Sequence, residues 1–336
     1  MLRRFALAAL ALTLASPALA NDSEAEVGIG GITLKPSSAI VMASEDLYIS
    51  PELVRVKYRF ANPTDRRIDT TVAFPMPGQP RGMAETWFFM EEKEDWSGFD
   101  FNTKVDGRPV RLQMIERAMI GTRDVTDLLA KHDLPVTWFT DKAFMARFEK
   151  MTEVERVPWL KDGLLRADPL FKSKVVPAWD AVTFFVRDES FPPNSSVTVE
   201  HEYVPRSGGS VGGALYPNYR KEFPRTVQQY RDRYCVDDHF LAGVDRRLGA
   251  KLAPGKQRVM SETWLAYVLS SGANWKGPIG DFRLVVDKGT AENLVSFCMD
   301  GVKKIGPTQF EVRKTNFEPK DDLKILIARF HEYDDG

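Results

Sequence analysis

Apolar and polar residues alternate in two neighbouring stretches near the start of the chain, over positions 54–60 and 68–74. A period of two is typical of a strand with one buried and one solvated face. Asn62-Pro63-Thr64-Asp65 supplies turn chemistry between the stretches, and prolines follow the second one. Because two strands are not stable alone in water, the pattern predicts an antiparallel hairpin whose apolar face lies under a second sheet or a helix.

The same alternation recurs along the chain and predicts a mainly β protein. Asp106-Gly107 is the strongest hairpin signal, because this dipeptide favours a two-residue turn between the predicted strands 101–105 and 110–114. Further strands are predicted at 181–186, 197–203, 262–270, 282–286, 294–298, 310–313 and 323–330. Short strands separated by Gly, Pro and Asn clusters are typical of sandwiches. The fold class is thus predicted to be an antiparallel β-sandwich architecture in two sandwich-like parts.

The apolar spacing changes to about 3.6 residues in two places, which predicts helical insertions near 122–157 and 225–249. In the first insertion, Thr140 can cap a helix that stops before Pro158. The second insertion carries one apolar stripe that ends at Gly249.

The glycine-rich segment 207–213 marks the predicted boundary between two parts of the chain. Residues 21–206 would form a β-sandwich with a helical insertion, and residues 207–336 a linker, a helix and a second β-sheet region. Strand pairing across this boundary is equally compatible with the pattern, in which case both parts form one extended sandwich.

The first twenty residues predict a secretory signal peptide. Arg3 and Arg4 precede an apolar run, and small residues lead up to Ala20. Cleavage after Ala20 would leave a mature chain that starts at Asn21 in the periplasm or the medium. No later apolar run is long enough to span a bilayer.

Charge argues against nucleic acid as a partner. The full chain has 46 basic and 47 acidic residues, and removal of two arginines with the signal gives a formal charge of −3. A nucleic-acid-binding protein would instead carry a basic face or tail.

The two cysteines, Cys235 and Cys298, predict a disulfide bond. An even number of cysteines in an exported protein usually forms bridges, because the compartment is oxidising. Neither cysteine belongs to a CxxC motif or has a histidine at ligand spacing, so a metal site is not predicted. The alternative is a pair of buried thiols that act as small apolar residues.

Motifs with converging chemistry are missing from the sequence. His201 lies on the apolar side of its predicted strand, and we favour a satisfied core histidine over a base in a dry pocket. Asp237, Asp238 and His239 are consecutive, so on a helix they point in different directions. The sequence has no HExxH zinc motif, and no cofactor is predicted.

Aromatic and polar residues follow the glycine-rich segment and predict a ligand surface. They are Tyr216, Asn218, Tyr219 and Arg220. Flat rings beside hydrogen-bonding groups suit a sugar or peptide ligand. The alternative is that these rings only dock the loop on the core. Trp275 could likewise bind a ligand or pack over the core, and packing over the core is favoured.

Several separated motifs resemble one family of exported bacterial proteins. They are ANDSEAEVGIGG after the signal, SEDLYIS, VRVKYRFANPTDRR with TVAFPMP, and GANWKGPIGDFRLVVDKG with LVSFC. The family is catalogued as domain of unknown function 4424, and the resemblance spans nearly the whole mature chain. It implies export, and it brings no established activity and no catalytic residues.

Two hypotheses about function follow from the sequence. The first is an exported, non-enzymatic protein that binds an envelope component, a glycan or another protein through a β-sandwich scaffold. The alternative is a hydrolase that acts on a glycan through two unidentified carboxylates, which the sequence does not select among its many acidic residues.

Overall fold

Antiparallel β-sheets with a few helices make up the part of the chain that the structure describes. This structure is a computed structural model, and it describes residues 23–28, 31–76, 100–121, 123–138, 141–167, 175–205, 207–211 and 213–334. It confirms the predicted mainly β, sandwich-like fold class. The predicted signal peptide and its cleavage point after Ala20 lie outside the described residues.

The largest sheet in these ranges has eight strands. Its order is β18 (Lys303–Lys304), β19 (Gln309–Phe317), β16 (Ile279–Asp287), β3 (Val41–Ile49), β4 (Val54–Asn62), β13 (Ser195–Tyr203), β6 (Asn102–Val105) and β7 (Arg108–Pro109). Neighbouring strands are antiparallel except β3 and β16, which are parallel. In β4 every second residue from Val54 to Phe60 is buried and the residues between them are exposed, as the alternation predicts.

Three smaller sheets complete the described β structure. The six-stranded sheet has the order β2 (Gly31–Lys35), β1 (Ser23–Gly28), β5 (Ile68–Pro75), β12 (Asp180–Phe191), β8 (Gln113–Ile120) and β9 (Arg123–Asp124). The four-stranded sheet has the order β14 (Gly208–Val211), β15 (Lys256–Tyr267), β20 (Leu323–Asp334) and β17 (Leu294–Phe297). The remaining pair is β10 (Leu165–Ala167) and β11 (Val175–Pro177). Each of the seven later strand predictions overlaps an observed strand.

One hydrophobic core joins the three large sheets. It includes Phe60 of β4, Phe74 of β5, Phe282 of β16 and Ile325 of β20, all of which are buried. The inner face of the eight-stranded sheet therefore packs against both the six-stranded and the four-stranded sheet. Burial of this apolar surface is the main force that holds the sheets together.

The predicted hairpin between the first two alternating stretches is wrong in its pairing. Both strands form, but β4 pairs with β3 and β13, whereas β5 pairs with β1 and β12 in the facing sheet. The side-chain amide of Asn62 donates to the carbonyls of Arg66 (2.8 Å) and Phe191 (2.9 Å) and fixes the chain where it crosses between sheets. Alternation shows which side of a strand is apolar, but two apolar sides can meet face to face as well as side by side.

The two-residue turn at Asp106-Gly107 is confirmed, but its second arm is Arg108–Pro109 and not the predicted strand 110–114. Asp106 and Gly107 both have positive φ (46° and 76°), which is the conformation that a tight two-residue hairpin turn requires. The second arm, β7, has only two residues, and the N–H of Val110 just after it still donates to the carbonyl of Thr103 (3.0 Å). The chain then enters β8 in the other sheet.

Three short helices form the first helical insertion: α1 (Thr126–Lys131), α2 (Lys142–Lys150) and α3 (Glu153–Lys161). The helix predicted to stop before Pro158 instead ends at Lys150, and α3 runs through this proline. Thr152 and Glu155 form a capping box that stabilises the start of α3, so the single lost donor is tolerated. The insertion has its own apolar cluster, in which the indole N–H of Trp138 donates to the Trp179 carbonyl (3.1 Å).

The second insertion forms α4 (Pro217–Glu222), α5 (Pro224–Tyr234) and α6 (Asp238–Leu248), and a 3-10 helix follows at Ser270–Asn274. The single predicted stripe is divided at Cys235, which has a left-handed backbone (φ 55°) and ends α5. The side chain of Asp237 then caps α6. None of the described helices is both long and apolar enough to cross a membrane.

Strands from both sides of the glycine-rich segment share one sheet and one core. β3 and β16 pair directly, and β14 forms within the glycine-rich segment and pairs with β15. The division at 207–213 stays a prediction about folding units.

Candidate functional site

A cavity of about 630 Å³ lies on the outer face of the eight-stranded sheet. Its lining comes mainly from β3, β4, β13, β16 and β19, which are neighbours in this sheet. The lining side chains on the outer face are Lys57, Arg59, Arg283, Arg313, Asp46, Asp281, Ser44, Thr198 and Thr315, and Glu45, Phe282 and Lys314 line it from the alternate strand positions. The cavity therefore offers ionic and hydrogen-bonding groups.

The strand register arranges these side chains in two rows across the sheet. One row runs Arg313, Arg283, Asp46, Lys57, Glu200. The other runs Thr315, Asp281, Ser44, Arg59, Thr198. Side chains two positions apart on a strand share a face, so both rows lie on the outer face.

The first row is joined by ion pairs. Within the row, the nitrogen-to-oxygen distance is 3.0 Å between Arg283 and Asp46 and 2.7 Å between Lys57 and Glu200. Glu311, beside the row, pairs with both Arg283 (2.7 Å) and Arg313 (3.1 Å). Hydrogen bonds from Arg313 and Arg283 hold the pKa of the Glu311 carboxyl below its usual value. The charges of this row are thus already balanced by protein partners.

The charged side chains of the second row, unlike those of the first, are not joined by ion pairs. Within the described residues, neither Arg59 nor Asp281 makes a side-chain hydrogen bond or an ion pair. Ser44 lies between them in the register, so their strands are two spacings apart, about 10 Å. A guanidinium and a carboxylate therefore face the cavity with their hydrogen-bonding capacity unused by this part of the protein.

A close backbone contact sets the position of Asp281. The register of β3 shifts between Met42 and Ser44, as at a β-bulge. At Gly280 a Cβ atom would lie 2.5 Å from the carbonyl oxygen of Ala43, so only glycine lets β16 approach the bulge this closely.

His201 is buried on the inner side of the same sheet, away from the cavity. Its Nδ1 lies 2.8 Å from the hydroxyl of Thr103, and the rings of Tyr58, Phe74 and Phe101 surround it. It is therefore a core histidine with a hydroxyl partner. The sequence did not show this partner, because Thr103 belongs to β6, 98 positions away.

The predicted aromatic surface is only partly accessible. The hydroxyl of Tyr216 accepts a hydrogen bond from Met260 N (2.5 Å), and Arg220 forms an ion pair with Asp245. Tyr219 and Asn218 are exposed. The structure thus gives Tyr216 and Arg220 internal partners, and ligand binding by this group stays a prediction.

Glu262 is a buried carboxyl that sequence reasoning missed. One oxygen, Oε2, accepts hydrogen bonds from the Tyr230 hydroxyl (2.6 Å) and the Trp264 indole N–H (2.9 Å). Burial raises the pKa of this carboxyl above its usual value. No local signal could have identified it, because the burial comes from α5 and from Gly213, where a Cβ atom would lie 1.7 Å from Oε1.

The predicted disulfide bond between Cys235 and Cys298 is confirmed. It joins the end of α5 to the residue after β17, and the two Cα atoms are 5.0 Å apart. The hydroxyl of Ser296 donates to the carbonyl of Tyr234 beside it (2.9 Å). Trp275, for which the sequence also allowed a ligand-binding role, is buried against Phe60.

The consecutive residues 237–239 do not converge. The carboxylate of Asp237 caps α6, Asp238 pairs with Arg231, and His239 is exposed. Within the described ranges, no three His, Cys, Asp or Glu side chains lie close enough to hold a metal ion.

Comparisons with known proteins identify a family but no function. A family model described as a domain of unknown function (DUF4424) matches residues 20–326. No curated protein matches the sequence.

Two solved structures illustrate the structural matches. One is described as a "putative nutrient binding protein" from Legionella pneumophila, with 16% identity, a TM-score of 0.42, and coverage of 91% of this chain and 72% of that chain. Another is an M1 zinc metallopeptidase from Deinococcus radiodurans, with 9% identity, a TM-score of 0.27, and coverage of 88% and 43%. Likenesses this low carry no conclusion about the function of this chain.

Proposed function

Since the chain belongs to the family described as a domain of unknown function (DUF4424), we propose its function from its own geometry: it binds a small polar ligand on the outer face of the eight-stranded sheet. The observation that carries this proposal is the convergence of charged and hydroxyl side chains from five adjacent strands on one cavity of about 630 Å³. Ligand sites usually have volumes of about 300–1,000 Å³.

The proposal is for binding without catalysis. Asp46 is paired with Arg283 at 3.0 Å, and Lys57 with Glu200 at 2.7 Å, so these side chains are held in place and charge-balanced. The described lining contains no histidine or cysteine that would serve as a base or nucleophile. The alternative of a glycan hydrolase with two carboxylates stays an untested hypothesis.

We also propose that the protein is exported, with a mature chain that starts at Asn21 in the periplasm or the medium. The disulfide bond between Cys235 and Cys298 supports this compartment, because structural disulfides persist where conditions are oxidising. Amino-terminal sequencing of protein from fractionated cells tests it. A chain that still began at Met1 would contradict the proposal.

Filling the cavity tests the binding function. Thr198→Trp places a large ring in the cavity, whereas Ser196→Trp places the same ring two positions away on the same face of β13, outside the lining. Amino acids, short peptides, sugar acids and sugar phosphates are screened by thermal shift and then by calorimetry. A ligand at 100 times its Kd stabilises the folded state by about 2.7 kcal/mol.

We expect a compound that stabilises the wild type and Ser196→Trp but not Thr198→Trp. Equal binding by both tryptophan variants would place the ligand elsewhere, and a screen without any stabilising compound would count against a small polar ligand.

A further inference from the structure

The second row of the cavity indicates which class of polar ligand fits. In the first row each charged side chain is paired with an opposite charge of the protein, so this row does not require a charged group on the ligand. In the second row Arg59 lies between Ser44 and Thr198, and Asp281 lies between Ser44 and Thr315. Neutral hydroxyls thus flank both charges.

Arg59 and Asp281 have opposite charges, and each lacks a partner among the described residues. The charged residues two positions away on the same strands do not pair with Arg59 or Asp281. Lys57 is occupied by Glu200, and Arg283 by Asp46 and Glu311.

A simple anion would meet Arg59 favourably, but it would bring a negative charge towards Asp281. A simple cation would have the reverse problem. A ligand that carries both charges satisfies both groups, because each pair is a charge-assisted hydrogen bond.

We propose that the cavity binds a zwitterion of the short-peptide class, with its carboxylate on Arg59 and its ammonium on Asp281; this inference rests on the proposed binding function. The hydroxyls of Ser44, Thr198 and Thr315 supply donors and acceptors for the amide groups of such a ligand. The length also fits. The two strands are about 10 Å apart, and three extended residues span about 10 Å.

Three probes of equal length separate the two charges. Triglycine carries both charges, N-acetyltriglycine only the carboxylate, and triglycinamide only the ammonium. Each is titrated at millimolar concentration into the full mature chain and followed by nuclear magnetic resonance. We expect triglycine to bind at least tenfold more tightly than either blocked form.

Two variants assign each end of the ligand. Arg59→Gln should remove the preference for triglycine over triglycinamide, because the carboxylate then has no guanidinium to meet. Asp281→Asn should remove the preference for triglycine over N-acetyltriglycine. Arg55→Gln is the matched control, because Arg55 lies on the same face of β4 but is paired with Glu202 (3.0 Å), and it should keep both preferences.

The outcomes separate this inference from the proposed function. Equal affinity for triglycine and its blocked forms, or equal changes for both blocked forms in Arg59→Gln, would overturn the zwitterion. If another polar compound binds in a way that Thr198→Trp abolishes while triglycine does not bind, the inference fails and the binding function stands. Melting temperatures close to the wild type verify that the variants are folded.

Discussion

β4 and β20 each lie between two antiparallel neighbours in their sheets, yet their burial patterns differ. In β4 one face lies in the core, and the other carries Arg55, Lys57 and Arg59. In β20 Ile325 and Ile327 face the shared core, while Leu326 and Ala328 lie under α5 and α6. Because these helices cover the second face of β20, both of its faces are apolar there, and residues 325–328 form a continuous apolar run.

The difference shows which face is available for function. The outer face of the four-stranded sheet is occupied by helices, a disulfide bond and the buried Glu262. Among the described residues, no helix or disulfide bond covers the outer face of the eight-stranded sheet around its cavity, so the side chains there should contribute little to stability. Substitutions on the two outer faces should therefore have very different effects on the free energy of unfolding.

Removing the disulfide bond should have the largest effect. Cys235 and Cys298 are 63 positions apart. On the chain-entropy estimate, a loop of this size stabilises the protein by about 4 kcal/mol, so Cys235→Ala with Cys298→Ala should lose most of that value. Urea unfolding followed by circular dichroism measures the loss, and the wild type in reductant is its control. Alkylation of both cysteines in unreduced protein would show that the bond does not form.

Leu326→Ala should have the next largest effect. Leu326 is fully buried between β20 and the helices, and its truncation leaves a cavity as well as removing apolar contacts. We expect a loss of about 3 kcal/mol in the free energy of unfolding. A loss below about 1 kcal/mol would mean that the helices do not cover this face tightly.

Glu262→Gln should change how stability depends on pH. Burial raises the pKa of Glu262 in the folded protein, so the folded state keeps a proton that the unfolded state has already released. Wild-type stability should fall as pH rises from the usual glutamate value through this raised pKa. The glutamine variant should lose less over the same window, because an amide does not titrate, while its oxygen can still accept hydrogen bonds from Tyr230 and Trp264.

Melting temperatures measured across that pH window compare the wild type with Glu262→Gln. Glu332→Gln is the control, because a hydrogen bond from Arg258 lowers the pKa of Glu332, so its effect on stability should have the opposite pH dependence. Its contribution is lost as pH falls through that lowered value. Parallel curves for the wild type and Glu262→Gln would contradict a buried, titrating carboxyl.

Arg55→Gln should have the smallest effect. Its pair with Glu202 is exposed on the outer face of the eight-stranded sheet, and exposed pairs contribute about 0.2–1 kcal/mol. We expect a loss of at most about 0.5 kcal/mol in urea unfolding. A loss close to that of Leu326→Ala would erase the distinction between the two outer faces.

Local patterns in the sequence determined much of the fold. Alternation located β4, β5 and most later strands, and Asp106-Gly107 specified its turn by backbone conformation. Two cysteines in a chain expected to be exported allowed only one internal bridge. These features depend on neighbours within a few positions, which the sequence shows directly, and the separated motifs were sufficient to identify the family.

Apart from the hairpin at Asp106-Gly107, only the tertiary structure decided which strands pair. Every residue except proline offers the same backbone N–H and C=O groups, so the hydrogen bonds between strands do not specify the partner strand, and β4 and β5 were paired wrongly. The parallel pairing of β3 with β16 brings Asp281 next to Ser44 across more than two hundred positions. Glu262 is buried by Tyr230 of α5, 32 positions away, and by the loop at Gly213. The candidate site is built from such long-range pairings, whereas the sequence by itself determined the elements that make them.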